Sequence, residues 1–132
     1  SQLAGFTMSI ASPCEFRPRQ DLMEKGLGPG KISWTKSVRE AMDGADFVYT
    51  DVWVSMGFEE ESKRRMEILK PYQLNGSAMK FAKPSAKVLH CLPAHRGEEI
   101  TDDVMDSEAS IVFDQAENRL HVQKAILSLL VK

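Results

Sequence analysis

Val88-Leu89-His90-Cys91-Leu92-Pro93-Ala94-His95-Arg96-Gly97-Glu98-Glu99 is the stretch whose reading decides the fold. An apolar run with strand character ends abruptly in a thiol, imidazoles, a proline, a guanidinium, a glycine and carboxylates. Strand ends that open into such loops are where α/β sheets place their ligands. An ordinary strand-to-loop junction also needs Pro and Gly, so the flanking sequence has to arbitrate.

Outward from that stretch, strand-like and helix-like segments alternate. Ala45-Asp46-Phe47-Val48-Tyr49-Thr50 is β-branched and aromatic, and it runs into Asp51-Val52-Trp53-Val54-Ser55-Met56-Gly57. A charged helix follows from Glu59 to Lys70, its acidic residues first and its basic ones later, as the helix dipole favours. Asn75 caps a helix from Gly76 to Ala82, stopped at Lys83-Pro84-Ser85. Nearer the N-terminus, Phe6 to Ala11 reads as a strand ended by Ser12-Pro13, Asp21 to Lys25 as a short helix, and Ile32-Ser33-Trp34 as an extended piece. Thr35 looks like the N-cap of a helix from Lys36 to Met42.

On the C-terminal side, Thr101-Asp102-Asp103 caps a short helix through Met105, and Ser110-Ile111-Val112-Phe113 reads as a further strand. Asp114 with Glu117 resembles a capping box opening the last helix. Its Ala116, Leu120, Ala125, Ile126, Leu129 and Leu130 form an apolar stripe suited to docking on a sheet. Strands alternating with helices and lacking hairpin turns imply a parallel sheet with right-handed crossovers. The expectation is therefore a single α/β domain, a parallel sheet flanked by helices, doubly wound and Rossmann-like. The carboxyl ends of its strands then share one edge, which gathers Cys14, Asp51 to Gly57, His90 to Arg96 and Asp114 to Arg119.

Composition narrows the function classes. The chain has 132 residues, enough for one modest core, and its net charge of -2 offers no electrostatic footprint for nucleic acid or an anionic membrane. No apolar run approaches the about 18 residues needed to cross a bilayer, and the first residues lack the basic-then-apolar pattern of a secretory signal. Cys14 and Cys91 are too few for a disulfide framework, and seven Met fit a reducing interior, so the cytoplasm is the default compartment.

Several chemistries remain open at the residue level. Cys91 between His90 and His95, with His121 further on, invites a zinc reading, although a structural site normally needs four ligands in paired spacings. A cysteine nucleophile paired with a histidine is a stronger rival, but no third group to orient the histidine is identifiable. Cys91 could equally be a small buried hydrophobe. Asp51 is a turn-forming carboxylate or the counter-charge for a substrate ammonium. Ser55-Met56-Gly57 is a helix cap or a carboxylate-holding turn. Arg119, read in the first turn of the last helix, opposes the helix dipole and so favours an anionic ligand. Tyr49 and Trp53 read as core.

Taken together, Asp51-Val-Trp-Val-Ser55-Met56-Gly57, His90-Cys91-Leu92-Pro93-Ala-His95-Arg96-Gly97-Glu-Glu and Glu117-Asn118-Arg119 resemble the ornithine carbamoyltransferase family. The resemblance covers essentially the whole chain in the family's order and spacing, and it falls on the family's C-terminal, ornithine-binding domain. It implies that Asp51, Ser55 and Met56 hold the amino-acid end of ornithine. It also implies that Cys91 and the Leu92 carbonyl lie near the reacting δ-amine, and that Arg119 contacts carbamoyl phosphate. On this reading Cys91 and Arg119 are the catalytic residues, with Cys91, Leu92 and Arg119 facing the carbamoyl donor. No metal or organic cofactor is implied. The partners are the small molecules ornithine and carbamoyl phosphate, and the full-length protein is expected to be a homotrimer of arginine biosynthesis.

Aspartate carbamoyltransferases have a different loop after the corresponding histidine, and putrescine carbamoyltransferases lack Ser-Met-Gly, so ornithine is the better fit. A non-catalytic amino-acid-binding module is the alternative from another class. The family's Ser-Thr-Arg-Thr-Arg phosphate loop and Gly-Asp-Gly-Asn-Asn stretch do not occur in these residues. The expectation is thus a fragment without the N-terminal carbamoyl-phosphate domain, inactive by itself.

Overall fold

The computed structural model describes residues 2–25, 28–54 and 62–131. Its strands are β1 (Met8–Ala11), β2 (Ile32–Thr35), β3 (Phe47–Thr50) and β4 (Lys87–His90). Its helices are α1 (Gln20–Met23), α2 (Val38–Met42), α3 (Ser62–Leu69), α4 (Gly76–Met79), α5 (Asp102–Met105) and α6 (Val112–Leu130). Every strand pairing is parallel, β1 with β2 and β3 with β4, as helical crossovers between strands require. Among the described residues the strands form two two-stranded sheets, not the single sheet the alternation suggested. A cleft of about 290 Å³ is lined by Ala11 of β1, Tyr49 of β3 and Asp51 just past it, together with Val38, Trp53 and Tyr72.

The core lies on the β3–β4 side. Val48 and Val88 bury against Met42 of α2, Leu74, Ala78 of α4, Ile100, and Val104 and Met105 of α5. Val88 and Ile100 lose all solvent contact, which is the burial that drives this half to fold. The α4 start is as the sequence implied: Asn75 Oδ1 accepts from the Ser77 and Ala78 amides at 3.1 and 3.0 Å. The α2 start is not. Thr35 ends β2, and the Ser37 hydroxyl is the cap, accepting from the Glu40 amide at 3.2 Å.

The C-terminal segment departs most from expectation. Ser110 to Phe113 does not form a strand; Ser110 makes an isolated parallel bridge to Val88. Ile111 then caps α6, so Val112 and Phe113 are helical and the Asp114–Glu117 box is not the helix start. Completely burying Val112 in the first helical turn outweighs the strand preference of a β-branched run. The apolar stripe of α6 does not dock on a sheet either. Every described residue of α6 after Gln115 is exposed, Leu129 and Leu130 to 78% and 74%. Among the described residues no helix is long and apolar enough to cross a membrane.

Candidate functional site

Parallel register aligns Thr50 with His90, so the next residues, Asp51 and Cys91, leave their strands side by side. The Cys91 thiol donates to Asp51 Oδ1 at 2.8 Å, and the Val52 amide donates to the same oxygen at 2.8 Å. Donating to a carboxylate holds the proton on sulfur. The Cys91 pKa is accordingly pushed up, first by that hydrogen bond, then by burial, then by the Asp51 charge. Cys91 is thus a thiol at neutral pH, which argues against a thiolate nucleophile. Tyr49, half exposed at the end of β3, has its hydroxyl pushed up chiefly by burial, with further contributions from Cys91 and Asp51. The sequence placed Tyr49 in the core. Strand alternation instead turns Val48 inward and Tyr49 outward.

Beneath this pair lies a buried polar frame. His90 is 1% exposed and Glu99 completely buried. His90 Nδ1 accepts from the Leu92 amide at 2.9 Å, which assigns the ring proton to Nε2, 3.0 Å from Glu99 Oε1. Glu99 Oε1 also accepts from the His95 amide at 2.6 Å, and Glu99 Oε2 has no partner among the described residues. Leu92 sits between these anchors with φ +57°, in the left-handed region that few non-glycine residues enter. From α6, Gln115 closes the frame: its Oε1 accepts from the His90 amide at 3.0 Å and its Nε2 donates to the Tyr49 hydroxyl at 3.5 Å.

Sequence reasoning missed Gln115 and the His90–Glu99 pairing. An uncharged amide on a helix carries no motif, and the contact between residues nine apart is a property of the folded loop. The zinc alternative loses His90, both of whose ring nitrogens are engaged, while His121 faces Glu117 along α6 at 3.3 Å. His95, Glu98 and Glu99 bring candidate ligand atoms within 4.8 Å of one another, but Glu99 Oε1 is already committed to two donors.

The remaining predicted positions are less gathered. Ser55 and Met56 lie outside the described residues. Arg119 is exposed on α6, on the same side as Gln115 one turn earlier, and makes no hydrogen bond or ion pair among the described residues. It stands about two turns past Val112, so the first-turn dipole argument for it does not apply. Its guanidinium is nevertheless uncommitted, beside a shallow groove shared with Asn118, Val122 and Gln123. Arg96 is the opposite case: both of its terminal nitrogens are held by Asp106 at 2.7 Å and one by Asp102 at 2.8 Å, which keeps its pKa above the ordinary range.

Comparison with known proteins follows the same pattern. A family model described as aspartate/ornithine carbamoyltransferase, Asp/Orn binding domain, matches residues 1–130. The ornithine carbamoyltransferase of Methanospirillum hungatei is 56% identical over 126 residues, 95% of this chain and 42% of the relative. That of Archaeoglobus fulgidus is 50% identical over 126 residues, 95% of this chain and 41% of the relative. The solved ornithine carbamoyltransferase from Pyrococcus furiosus overlaps with a TM-score of 0.87 at 45% identity, covering 95% of this chain and 42% of that one. The overlap places the chain in the Rossmann-like α/β class expected from its sequence. The chain spans about two fifths of the length of the curated relatives it matches.

Proposed function

Because the chain belongs to the aspartate/ornithine carbamoyltransferase family, through its Asp/Orn binding domain, we propose that residues 1–132 form the ornithine-binding domain of an ornithine carbamoyltransferase. The reaction is transfer of the carbamoyl group from carbamoyl phosphate to the δ-amine of L-ornithine, giving L-citrulline and phosphate. The observation that carries this reading is the Cys91 thiol donating to Asp51 Oδ1 at 2.8 Å where two parallel strands end. A carboxylate so placed can accept from a substrate ammonium in place of the thiol.

Asp51 then serves as counter-charge to the substrate ammonium, and with Ser55 and Met56 it holds the amino-acid end of ornithine. Cys91 and the Leu92 carbonyl flank the reacting amine. The ammonium must give up a proton before its lone pair can attack the carbamoyl carbon. The new C–N bond forms as the C–O bond to phosphate breaks, and phosphate departs with the electron pair and takes up the second proton that the nitrogen sheds. A neutral thiol suits positioning of that amine and not covalent catalysis. Arg119 on α6, without a hydrogen bond or ion pair among the described residues, is a cation suited to the phosphate. The setting this reading implies is a cytoplasmic, homotrimeric enzyme of arginine biosynthesis.

The test is citrulline formation by the full-length protein, with aspartate and putrescine as competing acceptors. Ornithine is expected to be the preferred acceptor. Turnover with aspartate or putrescine but not ornithine would overturn the assignment.

A further inference from the structure

We propose that His90 and Glu99 are positioning residues for carbamoyl transfer, acting through the backbone of the Cys91–Leu92 loop. The proposal rests on the carbamoyl-transfer reading above and names the parts that hold its reacting face in shape.

Three observations converge on it. First, an imidazole and a carboxyl group sit essentially without solvent at the edge of an otherwise apolar core. Such a pair contributes little net stability, since well-packed apolar residues of similar volume usually do as well or better. Second, the pair spends its hydrogen bonds on main chain: His90 Nδ1 takes the Leu92 amide at 2.9 Å and Glu99 Oε1 takes the His95 amide at 2.6 Å. The 3.0 Å bond between His90 Nε2 and Glu99 joins these two anchors into one frame. Third, the segment between the anchors contains Leu92 at φ +57°. A non-glycine residue persists there only where its surroundings over-determine it. Cys91 itself is tied to Asp51, so the frame sets how the thiol and the Leu92 carbonyl stand relative to that carboxylate.

Neither residue touches the reacting atoms on this account. Displacing reacting groups by about 1 Å commonly lowers the rate a hundredfold, so loss of the frame should appear in kcat. The experiment uses the full-length enzyme and four variants. His90→Asn keeps an acceptor near Nδ1 for the Leu92 amide but no longer reaches Glu99. His90→Gln keeps a donor near Nε2 but has no acceptor at Nδ1. Glu99→Gln keeps an oxygen for both donors, and Glu99→Ala removes it.

The expected result is a kcat lowered about a hundredfold in His90→Gln and Glu99→Ala, about tenfold in His90→Asn, and no more than about threefold in Glu99→Gln. KM for ornithine should move less than kcat throughout. Rates are taken per folded molecule, well below each variant's melting temperature. A purely structural pair would lower the melting temperatures while leaving kcat per folded molecule at the parental value, and that outcome overturns the proposal. Equal losses in Glu99→Gln and Glu99→Ala also overturn it, because an acceptor oxygen would then not be what matters. If His90→Gln or Glu99→Ala does not accumulate, the remaining two variants decide: Glu99→Gln is expected to turn over faster than His90→Asn, and the reverse order overturns the frame. A parental enzyme that forms no citrulline overturns the function reading and the proposal with it. A parental enzyme that does, beside variants of unchanged kcat, overturns the proposal alone.

Discussion

The two parallel strand pairs among the described residues are held by different forces. In β3–β4, Val48 and Val88 are buried and surrounded by aliphatic side chains from Leu74, Ile100, Val104, Met105 and Val112. In β1–β2 no strand residue is buried; the pair packs against α2, which carries the buried Met42, and its own buried neighbours Gln2 and Ser12 are polar. What fastens that pair is polar: Ser12 Oγ accepts from Trp34 Nε1 at 2.8 Å and donates to the Phe16 carbonyl at 3.0 Å, and Arg17 lies 4.7 Å from the centre of the Trp34 ring. Apolar burial yields about 25 cal/mol per Å², whereas a net hydrogen bond yields about 1 kcal/mol and an exposed cation–π contact less. The half that carries Asp51, Cys91 and Leu92 is therefore the one with more apolar burial to stabilise it, and residues of both halves line the cleft.

The contrast is broken most directly in the core. Ile100→Ala is expected to lower the unfolding free energy by about 4 kcal/mol, and Ile10→Ala in the half-buried β1 by about 1 kcal/mol. Denaturant titration of the two variants measures the difference, and equal losses would erase the distinction between the halves. A comparable effect, on rate and not on folding, is expected at the site. In the full-length enzyme Asp51→Asn should lose about 3 kcal/mol, rather more than a hundredfold, in kcat/KM for ornithine. Its melting temperature should hardly move, since Asp51 is exposed. Unchanged kinetics would remove Asp51 from the site.

Cys91 sharpens the comparison at smaller amplitude. Cys91→Ser should retain turnover with KM for ornithine raised about tenfold, about 1.4 kcal/mol, and a trapped carbamoyl-cysteine would contradict the positioning role. In a Cys14→Ser background, iodoacetamide should alkylate Cys91 with a pH midpoint above the about 8.5 of a free thiol. Asp51→Asn should shift that midpoint down, because the carboxylate that accepts the thiol proton is the main cause of the raised pKa. A midpoint unmoved by Asp51→Asn would mean the two groups do not meet in solution. The smallest effect belongs to the polar periphery: Glu15→Gln removes an exposed pair with Arg64 at 3.3 Å and should change stability by less than about 0.5 kcal/mol.

What could be read from the sequence divides along physical lines. The β3 and β4 runs, the Asn75 cap and the loop from His90 announce themselves through side-chain chemistry and local spacing. The meeting of Asp51 with Cys91 depends on strand register, which no local pattern encodes until the strands pair. Ser110 to Phe113 misled because β-branched residues suit a strand and a well-buried helical turn alike, and tertiary packing of Val112 chose between them. Tyr49 was legible in principle: alternation from Val48 turns it outward, yet aromatic character suggested the core. The apolar run on α6 shows the limit of periodicity, which identifies a face without naming what covers it.

The left-handed backbone at Leu92 limits how this loop can be re-engineered or can drift. Valine or isoleucine, close to leucine in bulk, carries a branch at Cβ that this φ disfavours by sterics alone. Glycine accepts the angle freely but gives up a side chain packed against the core and loosens the unfolded chain. Asparagine tolerates the angle too, at the expense of that apolar contact. The usable alphabet at position 92 is thus short.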